Sequence, residues 1–360
     1  LLPLADVAGV DVWRSSLRLL AKDHRYYELV AETLGEDFDC RCLLVEDESG
    51  MPVGAQPCFL VEQDLALTAP RLVRAMVQSV RRFAPRFLRL RMLMAGCAAG
   101  EGHPVAPVEA TSAALLRMAR DLGAALVVWK DVPAAYRSRF AGLPEFQRIP
   151  SMPATRLALD FRSFDDYLAG RVSHASRKSL RRKLRAAPSL DMEVRHELGE
   201  LAEEVHALYA QVLARSRLSF ERLTPEFLRQ LGARMPDRAR FFLWRHEGRL
   251  VAVSICLVHD GVLYDEYLGL DYRVALDWHL YFVTFRDVLS WALAQGLREY
   301  RSTPLGYEPK LHLGFELAPL DLYVASPSLA MRGPVRWALR VFGPTRGEPM
   351  LGRFPNAFEL

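Results

Sequence analysis

The sequence predicts a mixed α/β protein built as two tandem domains. Three observations carry that expectation. The chain has 360 residues, longer than one ordinary domain, so two domains of similar size are the default. Helical and strand periodicities alternate along most of it. Two segments also echo each other: CLLVEDESGMPVGAQPCFLV (42–61) and FLWRHEGRLVAVSICLVHDG (242–261) both read strand, acidic-glycine turn, strand, with Cys58 and Cys256 in similar places. Each copy lies in the order helix, hairpin strands, helix, strand, which favours an internal duplication.

In chain order, helical periodicity covers 23–34, 71–84, 109–121, 163–187, 199–216, 225–234 and 279–295. Strand patterns cover 41–47, 53–61, 87–95, 124–130, 155–160, 240–246, 250–258, 262–270 and 298–303. Asp277 is a plausible N-cap and Gly296 a plausible C′ residue for 279–295. Ser163-x-x-Asp166 can cap the start of 163–187 and Pro188 ends it, while Gly170 argues against one unbroken helix. The expected division is an N-terminal domain at 1–150, a C-terminal domain at 151–325 and a basic, aromatic tail at 326–360.

Composition is that of a soluble globular chain: 51% hydrophobic, 25% charged, net charge +4. A dedicated nucleic-acid binder carries more charge on one face, so DNA is not an expected partner. The richest apolar run, Leu250–Val258, has the length of a strand and not of a membrane span. The N-terminus lacks the regions of a secretory signal. The five cysteines have neither disulfide-framework nor paired metal-ligand spacing, so no metal is expected and a reducing, cytoplasmic location follows.

One stretch stands apart: SHASRKSLRRKLRAAPS, residues 173–189, where six of the nine residues from Arg177 to Arg185 are basic and none is acidic. At 100° per residue, Arg171, His174, Arg177, Lys178, Arg181, Arg182 and Arg185 share one arc. Leu168, Val172, Leu180, Leu184 and Ala187 lie opposite, with Lys183 the basic exception there. Two readings stand: a solvated face, or an anion-recognition surface in which arginine forks meet phosphate. Aromatic interleaving for single-stranded nucleic acid is missing. A second basic element, Met331 to Phe342, puts Arg332, Arg336 and Arg340 on one face. It is short for an interfacial membrane helix, so packing on the domain with a charged outer face is the expectation, and contact with an anionic membrane stays open.

Several weak motifs in order carry a family resemblance. Phe164-Asp-Asp-Tyr-Leu168 followed by Ser176-Arg-Lys-Ser-Leu-Arg-Arg-Lys-Leu184 resembles the opening of the second domain of FemABX-like and CelD-like proteins in the GNAT acyltransferase superfamily. Arg249-Leu-Val-Ala-Val-Ser254 resembles their hairpin strand. Gly306-Tyr-Glu-Pro-Lys310 with Gly314-Phe315 resembles their closing element. The likeness spans 155–320, and proteins of this kind carry two GNAT-like domains in tandem. It implies an acyltransferase, and it carries over Lys310 as a residue lining the acyl-transfer site.

The chain also departs from the pattern. Coenzyme A-binding relatives use a Q/R-x-x-G-x-G/A loop whose backbone N–H groups hold pyrophosphate at a helix N-terminus. Here 271–279 contains no glycine, and Asp277 would repel the anion. The one glycine-rich alternative is Gly96–Gly102, where Gly100 and Gly102 form either a phosphate cradle or an ordinary loop. No long helical arm of the kind found in aminoacyl-tRNA-using relatives is present.

Amine acylation needs a base, oxyanion donors and an acid for the leaving group. Tyr264-Asp265-Glu266-Tyr267 is the densest cluster of suitable groups. Alternation would put Asp265 and Tyr267 on one face, Tyr264 and Glu266 on the other. With Tyr307 and Lys310 from the closing element, Asp265, Glu266 and Tyr267 are the candidate catalytic residues. Arg177, Lys178, Arg181, Arg182, Arg185, Gly100 and Gly102 are the candidate donor-binding ones. No GxSxG elbow, HExxH helix or P-loop occurs. The reading is an N-acyltransferase without a tightly bound cofactor, moving an acyl group from acyl-CoA or acyl-carrier protein to an amine. The alternatives are aminoacyl transfer from charged tRNA, or a catalytically silent binding protein that keeps the fold.

Overall fold

The computed structural model describes residues 1–64, 71–85, 87, 89–216, 220–341 and 343–360. Its strands are β1 (Leu2–Pro3), β2 (Asp39–Glu46), β3 (Pro52–Asp64), β4 (Arg89–Ala95), β5 (Leu126–Pro133), β6 (Gln147–Pro150) and β7 (Ala154–Ala158). They continue with β8 (Asp191–Arg195), β9 (Ala239–His246), β10 (Arg249–His259), β11 (Val262–Leu270), β12 (Glu299–Ser302), β13 (Glu316–Ala318) and β14 (Leu320–Ala325). The first helices are α1 (Asp11–Leu17), α2 (His24–Thr33), α3 (Arg71–Arg81), α4 (Val108–Asp121), α5 (Phe164–Gly170) and α6 (His174–Ala186). The rest are α7 (Ala202–Leu213), α8 (Pro225–Arg234), α9 (Leu280–Ala294), α10 (Tyr307–His312) and α11 (Leu329–Val341).

The strands form two seven-stranded mixed sheets, ordered β1-β2-β3-β4-β5-β14-β6 and β13-β7-β12-β11-β10-β9-β8. Starting from β1 in one and β8 in the other, the orientations run the same way. Three antiparallel pairings come first, then a parallel one (β4–β5, β11–β12), then two antiparallel ones. The duplication seen in the hairpins thus extends through each sheet. The sixth position is filled out of sequence, by β14 in the first sheet and β7 in the second.

That placement breaks the contiguous division expected from sequence. The first compact unit comprises Leu1–Leu19, Val30–Ser151 and Leu320–Arg346, the second Leu20–Leu29, Met152–Pro319 and Gly347–Leu360. Leu320–Ala325 therefore belongs to the first sheet and not to a 151–325 domain, and the 326–360 tail divides between the units.

Each unit has its own core. In the first, Trp129 meets Phe140 edge-on, Phe140 stacks on Tyr323 at 4.0 Å, and the Trp129 indole donates to Ser112 Oγ at 3.0 Å. In the second, Phe285, Tyr300 and Phe315 pack mutually with centroids 5.6 to 5.8 Å apart. Such pairs add to simple burial. The helix expected over 163–187 is two. Ser163 caps α5 by accepting from Asp166 N, the chain turns after Gly170, and Ser173 caps α6 by accepting from Ser176 N. Two capping serines ten residues apart make two short helices cheaper than one long one.

Candidate active site

Strand β11 pairs with β12 only from Val262↔Glu299 to Asp265↔Ser302, then runs on to Leu270 after β12 has ended. The sheet forks there. On the other side of β11, Ile255 faces Tyr267 and Cys256 faces Asp265, so Glu266 is an extra residue in the ladder. A bulge of this kind breaks the period of two. The expectation that Asp265 and Tyr267 share a face is therefore wrong. Asp265 meets Ser254, Cys256 and Tyr300, whereas Tyr267 meets Tyr26, Tyr209 and Glu221.

Asp265 is the centre of one cluster. Ser254 Oγ donates to it at 2.6 Å and the Tyr300 hydroxyl at 2.7 Å, with Cys256 Sγ at 3.7 Å. Burial raises its carboxyl above the usual range against those three donors and the charge of Lys310. Burial, then Asp265, pushes the Cys256 thiol well up, so Cys256 is a donor and not a nucleophile. Tyr300 is raised in the same way. Lys310 is 6% exposed, and its Nζ donates to the carbonyls of Thr303 (2.5 Å) and Leu305 (2.8 Å) just beyond β12. Burial pushes its ammonium down to about 8, with Asp265 pulling the other way. An acid moved up and a lysine moved down thus feel each other's charge near the fork, without an ion pair between them within 4.0 Å.

The remaining candidates lie elsewhere. Glu266 forms an ion pair with Lys22 at 2.9 Å, both side chains largely buried. The Tyr267 hydroxyl donates to Glu221 at 3.0 Å. Tyr307 is 2% exposed and its hydroxyl donates to the Pro153 carbonyl at 2.8 Å, beside Phe354. It anchors α10, the helix that carries Lys310.

The loop from β11 to α9 is closed on itself. Val274 and Ala275 N–H donate to Asp271 O, Trp278 to Val274 O, His279 to Leu276 O and Leu280 to Ala275 O. Asp271 has no exposed surface and is held by Arg273 at 2.9 Å and Arg249 at 3.6 Å. Asp277 does not cap α9; that position is His279, in the left-handed region at φ 52°. Side-chain cations flank the loop instead. Lys183 Nζ lies 3.7 Å over the ring of Phe282 in the first turn of α9, and the Arg215 guanidinium lies 3.8 Å over Tyr272. The ring contact explains why Lys183 sits on the apolar side of α6. Lys178, Arg181, Arg182 and Arg185 are exposed and Arg177 is half-buried, with Arg181 reaching Asp165 at 3.3 Å.

Against that geometry stand the comparisons with known proteins. Residues 174–309 match the acetyltransferase (GNAT) domain family, from the first residue of α6 into α10. The match lies within the second unit. A Mycobacterium tuberculosis protein provisionally named 8-amino-7-oxononanoate synthase 2 is 27% identical over 226 residues, 56% of this chain and 28% of that protein. The chain thus spans under a third of the length of the curated relatives it matches. Among solved structures, the C-terminal domain of a provisionally named lysylphosphatidylglycerol synthetase from Agrobacterium fabrum aligns with TM-score 0.52 at 14% identity, covering 95% of this chain and 99% of that one. FemX aligns with TM-score 0.52 at 11% identity, covering 94% and 97%. At these identities the likeness is one of fold, and it extends over both units.

In the first unit the fork equivalent to that of the GNAT domain is filled by its own chain. After β4 the loop Gly96–Gly102 returns to β5, where Gly102 N–H donates to Asp131 O at 3.1 Å. A Cβ on Gly102 would lie 2.0 Å from the Lys130 carbonyl oxygen. Lys130 Nζ donates to Gly100 O at 2.9 Å and to Asp131 at 2.6 Å. The glycines are there for close backbone approach, and the Gly102 N–H is committed to protein. Gly100 and Gly102 are thereby explained without a phosphate. Among the described residues no group of three or more His, Cys, Asp or Glu could hold a metal, and no helix is long and apolar enough to cross a membrane. Tyr300, Ser254 and Arg215 escaped the sequence reading because their roles come from register and packing, not from any local motif.

Proposed function

We propose that the second unit is an N-acyltransferase that moves an acyl group from a phosphate-bearing thioester donor to an amine at the β11–β12 fork. The observation that carries this reading is the coupling of half-buried Asp265 with buried Lys310, two titratable groups shifted toward each other inside the region that matches the GNAT domain family. A carboxylate with a raised pKa is a stronger base and an ammonium with a lowered pKa a stronger acid. Asp265 takes the proton of the attacking amine as its nitrogen bonds to the acyl carbon. Lys310 protonates the departing sulfur as the carbon–sulfur bond breaks. Return of the proton from Asp265 to Lys310 resets the pair.

The usual pyrophosphate cradle does not fit these residues. The β11–α9 loop has no glycine, and the N–H groups of Val274, Ala275, Trp278 and His279 are spent on its own carbonyls, so it lacks the glycine-lined backbone nest of the usual cradle. What supports a phosphate-bearing donor is Lys183 and Arg215 beside that loop, together with the exposed basic arc on the opposite side of α6. Arginine and lysine side chains reach phosphate without close backbone approach. A phosphopantetheine thioester on an acidic carrier protein suits that surface better than free coenzyme A.

The test is thiol release from acyl-carrier protein and from acyl-CoA, with a panel of primary amines. The carrier-borne donor should be turned over with KM at least about tenfold lower. Turnover of acyl-CoA alone would move the donor reading. No amine-dependent release from either would leave aminoacyl transfer or a silent binding fold as the better readings. Native mass spectrometry of freshly purified protein then separates those two by the mass of co-purified tRNA.

A further inference from the structure

The first unit carries two elements that place large apolar side chains on their exposed faces. In α11 no residue is buried. At 100° per residue, its exposed residues Ala330, Gly333, Pro334, Trp337 and Val341 fall in one arc, with exposed Arg336 and Arg340 at its edge. Trp337 is 64% exposed and Val341 42%. The sequence suggested an apolar side packed on the domain and a charged side outward; Val335 and Leu339 are half-buried and Arg336 and Arg340 exposed in that sense, but Trp337 and Val341 face outward with the arginines. The second element is α3, carried between β3 and β4 where the equivalent β10–β11 hairpin closes with Asp260-Gly261. Met76 and Val80, then Phe83 in the turn that follows, are exposed at helical spacing, Phe83 to 93%.

Both elements leave the same end of one sheet. The β3–β4 ladder ends at Asp64↔Arg89, and β5 begins beside Met92, parallel to β4. Strand β14, antiparallel to β5, ends with Ala325 opposite Val127. At about 4.8 Å per strand, β3 and β14 are separated by roughly 14 Å. The charge is one-sided as well. Residues 65–100 hold seven arginines (71, 74, 81, 82, 86, 89, 91) and residues 322–347 hold four (332, 336, 340, 346), with no Asp or Glu in either stretch; Asp64 at the end of β3 pairs with Arg81 at 2.6 Å and lies 3.9 Å from Arg89, so the surplus is carried by the other arginines.

We propose that this end of the first unit docks on an anionic lipid bilayer. A bilayer takes both halves of the pattern at once, apolar side chains among the acyl chains and arginines at the phosphates. A flat surface also meets two separate helices without needing a matching groove. A nucleic acid would answer the arginines and leave Met76, Val80, Phe83, Trp337 and Val341 in water. The surface is independent of the acyl-transfer reading.

The experiment uses the full chain and sedimentation with vesicles of phosphatidylglycerol and phosphatidylcholine, against pure phosphatidylcholine. The protein should bind the anionic vesicles and not the neutral ones, and tryptophan emission should shift to the blue on binding. Trp337→Ser with Val341→Ser, and separately Arg340→Glu, should each lower partitioning at least about tenfold with melting temperature unchanged, since these side chains are exposed. Phe83→Ser should lower it as well, and the first double variant should abolish the emission shift. No binding to anionic vesicles would overturn the proposal. So would binding that responds to Arg340→Glu but not to the apolar variants. A dimer in solution that dissociates on Trp337→Ser with Val341→Ser would show instead that a second copy covers the face.

Discussion

Lys310 shows how much one side chain can be asked to do. It is buried, it holds two carbonyls beyond the end of β12, and burial pushes its ammonium down to about 8. Because the folded pKa lies below that of the unfolded chain, the cost of burying the charge is fully present below about pH 8. Between there and about 10.5 the unfolded chain binds a proton that the folded one does not, so stability rises with pH. Relative to Lys310→Met, the wild type should gain stability as pH goes from 7 to 10, by on the order of 3 kcal/mol at most. Melting temperatures at the two values check this, and a trend in the opposite direction would sink it. The same variant should lose about a hundredfold or more in kcat, together with the fall in rate above about pH 8. In Asp265→Asn the lysine loses its one favourable charge, so any residual activity should decline at lower pH than in the wild type.

At the scale of elements, two loops with glycine or its absence in telling places behave oppositely. Gly102 lies against the Lys130 carbonyl with room for a hydrogen and nothing larger. Gly102→Ala should destabilise by about 3 kcal/mol through backbone displacement, measured by denaturant unfolding. An unchanged midpoint would mean that the loop is free to move out of the fork. Helix α6 is a different case, since its outer arc is largely exposed and the Arg181–Asp165 pair that ties it to α5 joins two exposed groups at 3.3 Å. Arg181→Glu with Arg185→Glu should leave stability within about 0.5 kcal/mol. Association with a carrier-borne donor should fall by more than about tenfold, mostly in the on-rate, and salt should weaken the wild-type interaction steeply. If both association and turnover survive the double reversal, the arc is only a solvated face.

For the whole molecule, the duplication produced two forks with different fates. The one in the second unit holds the Asp265–Lys310 pair, and the one in the first is filled by Gly96–Gly102. Neither presents a free glycine cradle, so coenzyme A should bind with Kd of about 1 mM or weaker. Calorimetry checks that, and exchange protection locates any complex that forms. A tight complex at 271–279 would contradict the closed loop. One at Gly96–Gly102 would require that loop to leave the fork and would move the donor site into the first unit.

The sequence by itself determined the class of the fold, the hairpin echo between 42–61 and 242–261, most helices, and the family likeness in the second half. These are local signals: periodicity, capping residues and short motifs survive in a single window of chain. It also singled out Asp265, because polar residues crowded on an otherwise apolar strand are visible without neighbours, while Lys310 came from the family likeness of the closing element. Three things needed tertiary structure. The bulge at Glu266 is a property of the pairing between two strands, so Tyr267 was placed on the wrong face. The exchange of β7 and β14 depends on which sheet has a sixth position to fill, and no composition shift marks it. The exposed face of α11 depends on what the domain leaves uncovered, since an amphipathic pattern has two sides and does not say which one meets water.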